Sequence, residues 1–376
     1  MQFKDKRVLI LSPNSWGDMH ISKHHYALVL ANLGNDVYFL NPPNINGPFL
    51  SLKKISNNLT IIDYSPIYRG KKYLPNFVFQ FLIWLQINII QFKISGKIDV
   101  LWSFTTSFFF HLKWFKAGFH IFHPVDQLNS KLAVNIGKES DVIFTCSEYI
   151  LDELKDINRP KIVVSHGVSP FFVNFEYDYW RKNNEINVCY VGNLFIKNLD
   201  RNQLKKIIEQ NTSHCFHFIG AIDPKESNIS AWLTEESMDF VKFLKSARNV
   251  ICHGVVPSSM IPEIIKDMDA FLVCYESNEG NVISNSHKIL EYLSSGRVVI
   301  SSFVQHYKNS DLIQMLDTPN SSKYINLYFE VMSNLRHHNS IEKQNQRMRF
   351  AKSNSYESNI LKMESFIKKN FFNENE

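Results

Sequence analysis

Residues 279–302 read Glu279-Gly280-Asn281-Val282-Ile283-Ser284-Asn285-Ser286-His287-Lys288-Ile289-Leu290-Glu291-Tyr292-Leu293-Ser294-Ser295-Gly296-Arg297-Val298-Val299-Ile300-Ser301-Ser302. The stretch predicts a polar loop, a short helix, a tight turn and a strand. Asn285 and Ser286 are N-cap residue types, set just before Ile289, Leu290 and Leu293, which share one helical face. Gly296 falls where a helix C-terminus needs a left-handed residue. Val298, Val299 and Ile300 form the β-branched run of a buried parallel strand. Lys288 and Glu291, three apart, are neighbours on the outer face. A helix N-terminus behind a polar loop, with a lysine in its first turn, is an anion site. The carboxylate one turn on is placed to accept hydrogen bonds from sugar or ribose hydroxyls. An ordinary amphipathic helix would account for Ile289, Leu290, Leu293 and Gly296, but not for Lys288 and Glu291 behind a long polar loop.

Composition limits the classes that fit. A chain of 376 residues suits two domains, and 44% hydrophobic residues can bury a core in each. The net charge of +5 is too mild for a dedicated nucleic-acid binder and fits anionic ligands or a membrane surface. Five cysteines (Cys146, Cys189, Cys215, Cys252, Cys274) lack zinc-type spacing and read as reduced, small hydrophobes. The N-terminus leads straight into the short apolar run 8–11, without a signal-peptide core, and no segment reads as long enough to span a bilayer. The expected location is cytoplasmic, with peripheral contact at the inner membrane face.

Strands are expected at 8–11, 37–40, 100–103, 120–123, 142–146 and 161–165, with a helix at 22–33. Trp16, Gly17, Asp18 and His20 then lie in the loop at the carboxyl end of the first strand, where doubly wound sheets bind ligands. A simple turn with an exposed tryptophan is the other reading. Residues 53–97 are basic, with Lys53, Lys54, Arg69, Lys71, Lys72, Lys93 and Lys97 against Asp63 and Asp99. Inside them, 77–92 predicts a helix apolar on most of its circumference: a core helix, or an interfacial helix on anionic lipid. Asp126, after the strand at 120–123, is a candidate general base or a cap of the helix containing 132–136.

The second half opens with strand 188–191 and Gly192-Asn193-Leu194, where Gly192 allows close approach to a diphosphate. Lys197 follows. Strands at 215–219 and 250–253 end in Gly220 and in Gly254-Val255-Val256-Pro257. Asp267-Met268-Asp269 lies between a helix and a strand and reads as a solvated junction, not a metal site. A terminal helix is expected at 356–370.

The order of elements, with the motifs at 188–194, 250–257 and 284–302, resembles the GT-B glycosyltransferases, in particular bacterial surface-polysaccharide transferases of the capsule, O-antigen and teichuronic-acid type. Arg297 stands in place of the family proline, Asn193 where an arginine often pairs the diphosphate, and Ile283 where retaining relatives carry a second glutamate. Glu276 or Glu279 could replace that glutamate. The resemblance implies two Rossmann-like, doubly wound α/β domains facing a cleft: 1–170 for the acceptor, a linker at 171–185, 186–350 for the donor, and a C-terminal helix within 351–376 crossing back. It implies glycosyl transfer from a nucleoside-diphosphate sugar, UDP-linked, to a lipid-linked glycan, with no cofactor and no metal. Donor-site candidates are Gly192, Asn193, Lys197, Val255 and Val256 (by main chain), Asn285, Ser286, His287, Lys288 and Glu291. Lys288 would stabilise the leaving diphosphate and Asp126 would act as base. A UDP-sugar 2-epimerase or an inactive assembly module are the alternatives on the same fold.

Overall fold

Alternate residues of each central strand enter different apolar cores, which makes both halves of the chain layered. In β1 (Arg7–Leu11), Val8 and Ile10 belong to one buried cluster, and Leu9 and Leu11 to another. In β9 (Ile186–Val191), Val188 and Tyr190 face one cluster, Cys189 and Val191 the other. A strand buried on both faces needs helices on both sides, the doubly wound arrangement.

The computed structural model describes the chain except residues 1, 18–19, 69–73, 107, 110, 126–127, 129–130, 179–184, 227–232, 277–285 and 373–376, and the side chain of Lys131. Contacts divide it into Met1–His166 with Tyr356–Glu376, and Gly167–Ser355.

Among the described residues, the first unit has a sheet in the order β3-β4-β2-β1-β5-β6-β7-β8. Besides β1 it contains β2 (Asp36–Leu40), β3 (Leu50–Ser56), β4 (Leu59–Tyr64), β5 (Val100–Ser103), β6 (Phe119–Phe122), β7 (Val142–Thr145) and β8 (Lys161–Val163). All neighbours are parallel except β3 with β4. This hairpin is absent from the sequence reading because β3 is an edge strand exposed on both faces from Leu52 onward, with Lys53 on one face and Lys54 on the other. Charges protect such an edge and erase its apolar alternation.

The second unit has the order β11-β10-β9-β12-β13-β14, all parallel. Its strands after β9 are β10 (His214–Ile219), β11 (Val250–Gly254), β12 (Ala270–Val273), β13 (Val298–Ser301) and β14 (Gln314–Met315). The strand order reverses between β9 and β12, which pair only at Ala270–Val188 and Phe271–Cys189. Beyond that point their carboxyl ends are not paired, which creates the crevice where α/β sheets bind ligands.

Three sequence expectations change. The expected linker 171–185 begins inside the second unit. Ser169 accepts the Phe171 N–H at 3.3 Å to open helix Pro170–Val173, and Phe172 is buried in the cluster containing Ile289 and Leu293. Arg297, in the family's proline position, donates to the Asp178 carbonyl at 2.8 Å and so fastens this segment. At the other end, 351–353 complete helix Ile341–Ser353, so the second unit runs past 350, while the terminal helix starts at Tyr356 as expected. Its Tyr356, Ile360, Met363 and Ile367 lie on one face, in the same core as Val8 and Ile10. Finally, helix Asn76–Ile94 is long and apolar enough to cross a membrane, contrary to the sequence reading. Phe79, Ile83, Gln86, Ile87, Ile90 and Ile94 nonetheless bury one face of it against the first sheet.

Candidate functional site

The site is built at the crevice between β9 and β12. Helix His287–Ser294 forms with Ser286 as its N-cap, and the Ser286 side chain makes no capping bond. Ile289, Leu290 and Leu293 anchor the helix in the core, and Gly296 ends it at φ +77. A Cβ at Gly296 would stand 3.0 Å from the Gln344 Cβ, so helix Ile341–Ser353 can approach only a glycine there.

Lys288 then projects from the first turn onto the loop after β9. Its ammonium donates to the Tyr275 hydroxyl at 3.1 Å and sits 5.0 Å from the Tyr190 ring centroid. It also lies against Gly192: a Cβ at Gly192 would collide with the Lys288 ammonium, and would stand 2.8 Å from its Cε and 3.3 Å from the Tyr190 hydroxyl. Gly192 has φ +150, a conformation side chains rarely adopt. The glycine therefore makes the seat for the lysine. Burial alone would lower the Lys288 pKa, but the facing Tyr190 and Tyr275 hydroxyls outweigh it and the value lies above that of ordinary lysine.

Glu291, one turn on, has its carboxyl pushed up to about 7, first by burial and against the pull of Lys288. Among the described residues no donor bonds its carboxylate.

Two hydroxyls hold the unpaired strand ends. Tyr292, stacked on Phe271 at 4.4 Å, accepts the Val191 N–H at 2.8 Å and donates to the Val191 carbonyl at 3.2 Å. Ser302 does the same for Tyr275, accepting its N–H and donating to its carbonyl, both at 2.9 Å. Thus the residue before Gly192 and the tyrosine facing Lys288 are both fixed where β9 and β12 no longer pair. Three adjacent strands end in glycines at positive φ, Gly192, Gly220 and Gly254. Gly192 N donates to Ile219 O and Gly220 N to Gly254 O, each at 2.8 Å. A Cβ at Gly220 would collide with the Gly192 carbonyl, so the backbone is packed against itself along this edge.

The remaining candidates divide. Asn193 caps its own turn, accepting the Phe195 N–H at 2.9 Å. Buried Arg201 donates to the carbonyls of Leu194 (3.0 Å), Ile196 (2.7 Å) and Leu199 (3.3 Å), fastening the loop that carries Asn193 and exposed Lys197. Val255 is exposed and Val256 half-buried, both just after β11. His287 is half-buried beside Lys288. Asn285, Glu279 and Ile283 lie outside the described residues. Glu276 is exposed next to Tyr275, its pKa raised first by partial burial and then by Asp200. Asp267 and Asp269 sit at the amino end of β12, away from this edge, where the Asp269 carboxylate accepts the Asn187 N–H at 2.8 Å.

In the first unit Trp16 is half-buried, not an exposed turn residue. Its ring lies 4.9 Å from Phe39, 5.1 Å from His20 and 5.3 Å from His24. Gly17 is exposed, and Asp18 and Asp126 lie outside the described residues. His24 accepts from Ile21 N and meets the Ser15 carbonyl through its other nitrogen, at 3.0 and 3.1 Å. Burial lowers the pKa of His24, His25 and His123 to about 3, so all three are neutral.

Tyr190, Gly220, Tyr275, Tyr292 and Ser302 were missed as site residues. Gly220 had a signal, since three strands in succession end in glycine; the hydroxyls had none, because the partners of Tyr292 and Ser302 are backbone groups and that of Tyr275 is an ammonium 13 residues on, across a loop.

No family model matches the chain, and no curated protein matches it in sequence. Solved structures do match in fold. Sucrose-phosphate synthase from Thermosynechococcus elongatus aligns with a TM-score of 0.67 at 12% identity, over 97% of this chain and 98% of that one. An E. coli trehalose-6-phosphate structure bound with UDP-2-fluoro glucose aligns at 0.67 and 10%, over 96% and 99%. Anabaena HepE in complex with UDP and glucose aligns at 0.61 and 12%, over 96% and 99%. Two mostly parallel α/β sheets and these whole-length alignments give the chain the GT-B fold of nucleotide-sugar glycosyltransferases.

Proposed function

We propose that the protein is a glycosyltransferase moving a sugar from a nucleoside-diphosphate sugar, UDP-linked, to a lipid-linked glycan at the cytoplasmic membrane face, in the assembly of a surface polysaccharide. One observation carries the donor site: a lysine seated on a glycine at the sheet's switch point, with a carboxylate one turn away that no described donor bonds. The structures of similar fold that hold UDP or a UDP-sugar analogue support this choice of ligand.

On this reading the diphosphate lies on the Gly192 backbone beside Lys288 and the N-terminus of helix His287–Ser294, and Glu291 accepts ribose hydroxyls. In the reaction the bond from the sugar's anomeric carbon to the diphosphate oxygen breaks, and its electron pair leaves with the diphosphate. The acceptor oxygen forms the new bond and gives up its proton, for which Asp126 is the proposed base. Charge on the diphosphate grows as the bond breaks, so Lys288 and the helix N-terminus stabilise the transition state more than the bound donor. These groups are the protein's own, and the proposal needs no metal.

The test is a thermal-shift screen of UDP-, GDP- and dTDP-sugars followed by a nucleotide-release assay. A cognate donor at a hundred times its Kd stabilises the native state by about 2.7 kcal/mol. Stabilisation by UDP-sugars with acceptor-dependent UDP release supports the proposal. No stabilisation by any of them overturns it.

A further inference from the structure

The first unit carries an apolar surface that the donor-site reading does not use. Helix Asn76–Ile94 buries one face in the core, and the opposite face is also apolar. Phe77, Phe81, Trp84 and Phe92 follow at intervals of four, three and eight, a single stripe on a helix. Their exposures are 75%, 56%, 41% and 87%. Phe81 and Trp84 stack at 5.8 Å within this ridge, and Asn88 lies between Trp84 and Phe92 on the same stripe. The stripe covers about 22 Å at 1.5 Å per residue. Four large exposed rings in one line exceed the scattered apolar residues of an ordinary surface.

Charge selects the occupant. From residue 64 to 98 the sequence has no aspartate or glutamate, and five basic residues. Among the described ones, Lys93 and Lys97 are exposed at the end of the helix that carries Phe92. On edge strand β3, exposed Lys54 shares the face of Leu50, which packs on the same core cluster as the helix. A second copy docked on this ridge would bring Lys93 and Lys97 against their own counterparts, with no aspartate or glutamate in residues 64–98 to pair them. A spanning role is excluded by the other face, which is committed to the core.

We propose that this ridge seats the protein on an anionic membrane surface, with the rings at the boundary of headgroups and acyl chains and the lysines among the headgroups. The ridge belongs to the first unit and the donor-site residues to the second, so the proposal stands whether or not that site turns over a sugar.

The experiment is co-sedimentation of the full chain with vesicles of phosphatidylcholine alone or mixed with phosphatidylglycerol. The variants are Phe77→Ser with Phe81→Ser and Phe92→Ser, and Lys93→Gln with Lys97→Gln. All five side chains are exposed, so unfolding temperatures should stay at the wild-type value. Wild type should pellet with the anionic vesicles and come off as salt rises. Losing two lysines should weaken that partitioning about 30-fold, and the aromatic variant should stay in the supernatant. Wild type that ignores anionic vesicles overturns the proposal, as does an aromatic variant that pellets like wild type. A wild-type dimer that ignores vesicles and that the aromatic variant converts to monomer would assign the ridge to a second copy instead.

Discussion

Replacing Tyr292 with phenylalanine removes one oxygen atom and the two hydrogen bonds that hold Val191. The ring keeps its place, stacked on Phe271 at 11° between planes, so no cavity opens. The Val191 N–H and C=O are then left without a partner at a residue only 8% exposed. A buried backbone group without a partner costs about 1–3 kcal/mol, and the N–H, which has no second choice, dominates. The loss falls on the residue before Gly192 and thus on the seat of Lys288. Stability of Tyr292→Phe should fall by about 1–3 kcal/mol in denaturant unfolding followed in the second unit. Donor affinity should fall with it, by roughly tenfold at 1.4 kcal/mol. Calorimetric titration with UDP and with the cognate donor reads the second effect. Ser302→Ala, which frees the ends of Tyr275 in the same way, should reproduce the pair of changes. A Tyr292→Phe protein that loses stability but binds donor as wild type does would refute the link between this clamp and the site.

Gly192→Ala should be the more severe change, since it combines a strain of about 1–3 kcal/mol at φ +150 with displacement of the Lys288 ammonium; folded protein with normal turnover would contradict it. Glu291→Gln should weaken donor binding by about 1–3 kcal/mol, the value of a hydrogen bond to a charged group, and unchanged affinity by calorimetry would remove Glu291 from the site. Because burial raises the Glu291 carboxyl to about 7, wild-type donor affinity should rise as pH increases through that value, and Glu291→Gln should flatten the profile. His24, His25 and His123 have folded pKa values of about 3 against 6.5 unfolded, so between these values the unfolded chain binds more protons. Stability of the first unit should therefore be full above about pH 6.5 and fall as pH drops, by about 1.4 kcal/mol per pH unit for each histidine; a flat pH-denaturation profile from 7 to about 4 would contradict their buried, neutral state.

The fold was legible where burial on both faces produced uninterrupted apolar runs, as at Val8–Leu11 or Val298–Ile300, and where glycine closed a helix, as at Gly296. The hairpin of β3 and β4 was not, because a solvated edge strand rich in lysine has no apolar alternation to read. The segment 171–185 looked like a linker because its anchors are nonlocal: Phe172 enters a core built from residues far along the chain, and Arg297 reaches the Asp178 carbonyl. Lys288, Glu291 and Gly192 were legible because local chemistry marks them, a cation at a helix start, a carboxylate one turn on and a glycine after a strand. That Lys288 lies on Gly192 could not be read, since 96 residues separate them. The rings of Tyr190, Tyr275 and Tyr292 are buried in the core, and only their hydroxyls reach the candidate site.

The account turns on Lys288, seated on Gly192, as the group that holds and neutralises the diphosphate. Nucleotide release from the cognate donor, measured for wild type and Lys288→Ala with and without EDTA, tests this most directly. Turnover of Lys288→Ala should fall about 10²–10³-fold, as for loss of one preorganised donor, with a smaller change in donor affinity and no effect of chelator on wild type. Full turnover by Lys288→Ala would place the diphosphate elsewhere, and loss of wild-type turnover in EDTA would mean that a metal, not this lysine, carries the charge.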